Sequence, residues 1–161
     1  MKKTELTIER EKLEVTVTRV FDTPRKFLYK VFTDPAHKAV WWRCNTVTNI
    51  FVQMDVRPGG SWRIIQRGED GKEFAFHGKY LEVISPEKIV NTSEFEEMSG
   101  HVITETAIFE EQGDKTKLTI ISSFQNIEDL EGMIKAGMES GTTESMDHIE
   151  ELLSKLQTIT I

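Results

Sequence analysis

The chain has one cysteine, Cys44, among 161 residues, and only four prolines. A single thiol rules out an intramolecular disulfide and a cysteine-based zinc knuckle, and Cys44 reads as an inert, half-buried side chain with no base recognisable beside it. Long apolar runs are also missing: no window approaches the roughly 18 apolar residues of a membrane helix. The N-terminal stretch from Met1 to Leu13 is charged and has no signal-peptide core. Cytoplasmic residence is the default expectation. Clustered positive charge is absent too. Net charge is −7, and no Lys/Arg run exceeds a pair such as Lys2-Lys3 or Arg25-Lys26. Phosphate recognition needs a basic stripe, so neither nucleic acid nor an anionic membrane surface is expected as a partner.

What is present suits an ordinary globular chain. Apolar residues make up 38% and charged residues 29%, and a chain of this length buries roughly 70% of its unfolded surface without a staple. One domain over residues 1–161 is expected.

Two regimes follow each other along the chain. From Leu6 to Phe124 the pattern is strands punctuated by turns. Leu13, Val15 and Val17 alternate with Glu14, Thr16 and Thr18, the period of a half-buried strand. Thr23-Pro24 and Asp34-Pro35 each offer a capping oxygen before a proline and predict two short helices, the first with an apolar face of Phe27, Leu28, Val31 and Phe32. Turns then recur at Pro58-Gly59-Gly60, Asp70-Gly71, Ser85-Pro86, Ser99-Gly100 and Gly113-Asp114. Strands joined by such short turns are antiparallel neighbours, which predicts a meander. From Asn126 to Leu156 the apolar spacing becomes helical, opened by a cap-like Asn126 with Asp129 three residues on. The middle of that helix is unusual: Gly137, Met138, Gly141, Thr142, Ser145 and Met146 are mostly small, and glycine there predicts a break, a bend or close packing. The fold class is therefore α+β, an antiparallel meander of six or seven strands around a long C-terminal helix.

No catalytic constellation stands out. His37, His77, His101 and His148 lack metal-ligand spacing. His77 alternates in facing with Phe76 and reads as a surface or hydrogen-bonded strand histidine, with catalysis or ligand binding as the alternative. Glu96-Glu97 and Glu110-Glu111 beside turns read as solvated. Asp55 and Arg57 read as a salt bridge fixing the turn at Pro58-Gly59-Gly60, and that turn lacks the strand–loop–helix context of a phosphate cradle. No catalytic residue, metal or cofactor is assigned. More telling are the aromatic and thioether residues spread over nearly every element. A sheet bearing large side chains over a helix whose middle is small leaves a hollow unless facing side chains close the gap. The residues alone leave a filled core and a hollow both open.

Thr18-Arg19-Val20-Phe21-Asp22-Thr23-Pro24, Phe32-Thr33-Asp34-Pro35, Trp41-Trp42 and Asp55-Val56-Arg57-Pro58-Gly59-Gly60-Ser61-Trp62 come in this order, followed by Gly78-Lys79-Tyr80, Ser85-Pro86-Glu87, the Thr116–Thr119 strand, Gly137-Met138 and Gly141. Together they resemble the family named for activators of the ninety-kilodalton heat-shock chaperone ATPase, in the START-like (SRPBCC, birch-pollen-allergen) superfamily. The resemblance runs from about residue 13 to 156. It implies the helix-grip fold, whose members commonly hold lipids, sterols or polyketides between sheet and helix. On that footing Trp42, Met54, Trp62, Phe76, Tyr80, Phe124, Met138 and Thr142 are the candidate cavity residues. Many relatives carry Trp where this chain has Thr142. The namesakes have a separate chaperone-binding domain for which this chain has no room. Binding of a small apolar molecule is thus the first expectation, by a monomer or weak homodimer. A cochaperone-like domain with a chaperone partner is the alternative, and a cavity enzyme of cyclase or hydrolase type a third.

Overall fold

The computed structural model describes residues 3–159, with the side chains of 158 and 159 not described. Eight strands form one antiparallel sheet in the order β1-β2-β8-β7-β6-β5-β4-β3. They are β1 (Glu5–Glu9), β2 (Glu14–Phe21), β3 (Val47–Met54), β4 (Ser61–Gly68), β5 (Glu73–Ile84), β6 (Lys88–Phe95), β7 (Ile103–Gln112) and β8 (Lys115–Ser123). From β3 to β8 each strand pairs with the next in sequence, which is the expected meander. The count exceeds the expected six or seven because Glu5–Glu9 adds an edge strand to β2. One 3-10 turn reverses the chain between them and ends at Leu13, which takes a left-handed φ of 57°. The polar alternation of Glu-Leu-Thr-Ile-Glu is that of an edge strand, too short and charged to announce itself.

Two helices, α1 (Arg25–Thr33) and α2 (Pro35–Trp41), leave the sheet between β2 and β3. Asp34 caps α2 as expected, accepting from the Ala36 N–H at 2.9 Å. Thr23 does not cap α1. It is buried, its carbonyl accepting from the Thr116 hydroxyl at 2.7 Å, and Pro24 stands at the cap instead. That bond ties the start of α1 to β8.

The C-terminal helical region is divided. Asn126 caps α3 (Ile127–Lys135) by accepting from the Asp129 N–H at 2.8 Å. Gly137, at φ 94°, then separates α3 from α4 (Met138–Ile159). A side chain at that φ is strained, so the glycine sets the bend that the sequence left open. The main core lies between sheet and helices and includes Phe21, Leu28, Trp41, Ile64, Phe109, Leu118, Ile149 and Leu153. A second cluster of Val15, Val17, Phe124 and Leu130 fills the end beneath α3.

Candidate functional site

Between the inner face of the sheet and α4 lies a cavity of about 450 Å³, walled also by α2 and by the start of β3's approach loop. This is the size of small-molecule sites in general. Its existence follows from the small middle of α4. A methyl added at Gly141 would meet only Cys44 Cβ, at 4.0 Å. Thr142 and Ser145 also line the space, and the Ser145 hydroxyl donates to the Arg43 carbonyl at 2.9 Å, tying α4 to the loop after α2.

The aromatic wall is fixed by its own geometry. Trp42 stands edge-on to Trp62 at 5.8 Å and to Phe76 at 5.4 Å between ring centroids. Trp62 is held by its indole N–H, which donates to the Thr92 carbonyl at 3.0 Å. Tyr80 is held through its backbone. Its N–H donates to the Gly60 carbonyl and its carbonyl accepts from the Gly59 N–H, both at 2.8 Å. The Pro58-Gly59-Gly60 turn is therefore what locks β5 at this level. Asp55 and Arg57 pair beside the turn at 2.9 Å, as expected.

Of the eight residues proposed from sequence, Trp42, Met54, Trp62, Phe76, Tyr80, Met138 and Thr142 line this cavity. Phe124 does not. It has the same facing as the lining residues Ile120 and Ser122, but it sits past the end of β8, where α3 comes down and buries it against Leu130. Facing alone cannot distinguish a cavity wall from the packed end of the same sheet.

Sequence reasoning missed the polar part of the wall. Tyr80 on β5 pairs in register with Asn91 on β6, Asn91 with Glu105 on β7, and Glu105 with Ser122 on β8. All four line the cavity, so a row of polar side chains crosses a mostly apolar sheet face, to which β4 adds Gln66, its amide donating to the Trp42 carbonyl at 3.0 Å. Facing this interior from α2 is Lys38, whose Nζ lies 4.7 Å from the Trp41 ring, 5.6 Å from Phe32 and 5.7 Å from Trp42. Such a cage stabilises a cation that has lost water. Burial pulls the Lys38 amine down to about 8, with Glu105 working against that shift. Burial pushes the Glu105 carboxyl up, opposed by Lys38 and by the Asn91 amide. Both side chains keep some accessible surface because they front the cavity. The readable signal was parity: Glu105 shares its facing with the buried Ala107 and Phe109, where a charge is out of place.

The remaining candidates lie elsewhere. Cys44 edges the cavity, its Sγ 3.3 Å from the Thr46 hydroxyl. His77 is on the outer face, 3.0 Å from Glu96 and 3.2 Å from Glu94. Glu96, expected to be merely solvated, is gripped by Arg63 at 2.7 and 2.9 Å. That bidentate contact holds its carboxyl at about 2. His101 pairs with Asp129 at 2.7 Å. Among the described residues, no cluster of His, Cys, Asp and Glu suits a metal ion, and no helix is long and apolar enough to cross a membrane.

A family model described as Activator of Hsp90 ATPase homolog 1-like protein matches residues 22–154. No curated protein matches the chain significantly. Among solved structures, a protein of Mycobacterium smegmatis superposes with a TM-score of 0.84 at 23% identity, over 93% of this chain and 96% of its own. An Arthrobacter aurescens protein gives 0.87 at 23% identity, over 96% and 93%. A Rhodobacter sphaeroides protein gives 0.87 at only 15% identity, over 94% and 99%. At such identities the likeness is one of fold, and it fits the helix grip.

Proposed function

The chain belongs to the family of Activator of Hsp90 ATPase homolog 1-like proteins, and from that premise we propose that it binds a small, mainly apolar molecule between sheet and α4. The cavity of about 450 Å³ carries this reading. Most of its wall is Trp, Phe, Met and aliphatic side chains, which accept apolar shapes with little loss of contact. Nothing in the fold requires the space for packing, since the small residues at Gly141, Thr142 and Ser145 keep it open.

All three tryptophans, Trp41, Trp42 and Trp62, line the cavity and report on its filling. Titration with anilinonaphthalene sulfonate should quench tryptophan emission by energy transfer, with saturation at one probe per chain. Absence of transfer, or weak unsaturable binding, would count against an internal site.

A second reading, a cavity enzyme of cyclase or hydrolase type, has one observation in its favour. An amine and a carboxyl with opposed pKa shifts face the same cavity, as acid–base pairs do. Turnover of the bound molecule, lost in Glu105→Gln with binding retained, would favour it. The family's name suggests stimulation of a chaperone ATPase; the cavity reading expects none from this chain alone, and dose-dependent stimulation would reverse that ranking.

A further inference from the structure

Lys38 and Glu105 front the same cavity and act on each other electrostatically, yet among the described residues they make no direct ion pair. The three rings around Lys38 Nζ offset its charge but give its N–H groups no lone pair to bond. Among the described residues Lys38 Nζ makes no hydrogen bond. Glu105 has the Asn91 amide beside it on one strand and Ser122 in register on the other. An ammonium and a carboxyl that front one cavity without pairing directly are open to a bound group that accepts from the first and donates to the second.

Resting on the cavity reading, we propose that Lys38 and Glu105 recognise a hydroxyl group on the bound molecule, its oxygen accepting from Lys38 Nζ and its O–H donating to the Glu105 carboxylate. The ligand class is then an apolar alcohol or phenol. A hydroxyl is the group that satisfies both partners. A carboxylate is repelled by Glu105, an amine by Lys38, and a ketone accepts from Lys38 but gives Glu105 no donor beyond the Asn91 amide. The Asn91 amide holds the Glu105 carboxyl in the row, and Ser122, in register on the other side, lines the cavity with it. Leaving either charged partner unsatisfied in an apolar space is costly, so the discrimination is sharper than the hydroxyl would give in water.

The test is calorimetric titration of the whole chain at neutral pH with thymol, p-cymene and cuminate. These share an isopropyl-substituted ring and differ in carrying a hydroxyl, no polar group, or a carboxylate. Thymol is expected to bind about tenfold or more tightly than p-cymene. In Glu105→Gln and in Lys38→Met that ratio should fall to about twofold or less, with p-cymene affinity kept as the check that the cavity is intact. Cuminate should bind no better than p-cymene. Equal binding of thymol and p-cymene, or a thymol preference surviving both substitutions, would overturn this inference while leaving the cavity reading standing. Tighter binding of cuminate than of thymol would make Lys38 a lone anion site and overturn it too. Binding of none of the three would remove the cavity reading and this inference with it.

Discussion

Gly78 lies directly opposite Trp62 in the β4–β5 ladder, and the Trp62 indole N–H passes over it to reach the Thr92 carbonyl at 3.0 Å. A Cβ at Gly78 would fall 1.8 Å from that carbonyl oxygen and 2.5 Å from the indole nitrogen. The glycine is what lets a cavity-wall tryptophan anchor to the next strand but one. Gly78→Ala must part the strands, because the obstacle is backbone. Chemical denaturation should show a loss of at least about 1–3 kcal/mol, the range for overpacking. Trp62→Phe should cost only about 1 kcal/mol, since the Thr92 carbonyl also receives the Asn91 side chain at 3.1 Å.

Thr142→Trp should leave the melting temperature unchanged or raised. Thr142 lines the cavity, so a large side chain there fills space instead of displacing neighbours. Binding of anilinonaphthalene sulfonate should weaken at the same time. A drop in stability of about 1–3 kcal/mol with probe binding intact would mean that Thr142 packs against a full core.

Replacing both Lys38 and Glu105 by apolar residues of similar size, Lys38→Met with Glu105→Leu, should stabilise the protein by about 1–4 kcal/mol at neutral pH, because it removes two desolvated charges that do not pair directly. Glu105→Gln alone should destabilise, because it leaves Lys38 charged with no opposing charge facing it. The Lys38 contribution has a definite pH signature. Its amine titrates near 8 when folded and at 10.5 when unfolded, so the folded state carries the full cost below about pH 8. Between those values the unfolded chain binds more protons, and wild-type stability rises with pH. That part of the advantage of the double variant should therefore shrink from pH 8 to 10.5. A difference independent of pH over this window would show that Lys38 is not desolvated.

Glu96 gives the opposite sign. Its carboxyl sits at about 2 when folded against 4.5 unfolded, chiefly through its bond from Arg63. The stabilisation is complete above pH 4.5 and is lost as pH falls toward 2. Glu96→Gln should cost less than about 1 kcal/mol at neutral pH, the pair being partly exposed. The two proteins should converge in stability near pH 2.

The meander, the two short helices and the C-terminal helical region were legible because each rests on local signals: alternation, caps and turn residues. Edge strand β1 was not, since five residues with a charge at each end carry too little pattern. The wall of large side chains was legible from composition and from the family resemblance, but its limit at Phe124 was not, because that depends on where α3 lands. The polar row escaped for a different reason. Asn91, Glu105 and Ser122 are adjacent only through strand register, and their common facing with Tyr80 is a tertiary fact. Lys38 lies on a helix of seven residues, too short for its sequence to show which way the side chain faces. Only the fold turns it inward among Phe32, Trp41 and Trp42.

A crystal structure grown in the presence of p-cymene decides whether the space beneath α4 takes an apolar molecule. The account predicts ring-shaped density between Thr142 on α4 and Trp62 and Phe76 on the sheet, with the surrounding backbone unmoved. Side chains closed over that space, or ordered water filling it while p-cymene binds only outside, would contradict the account.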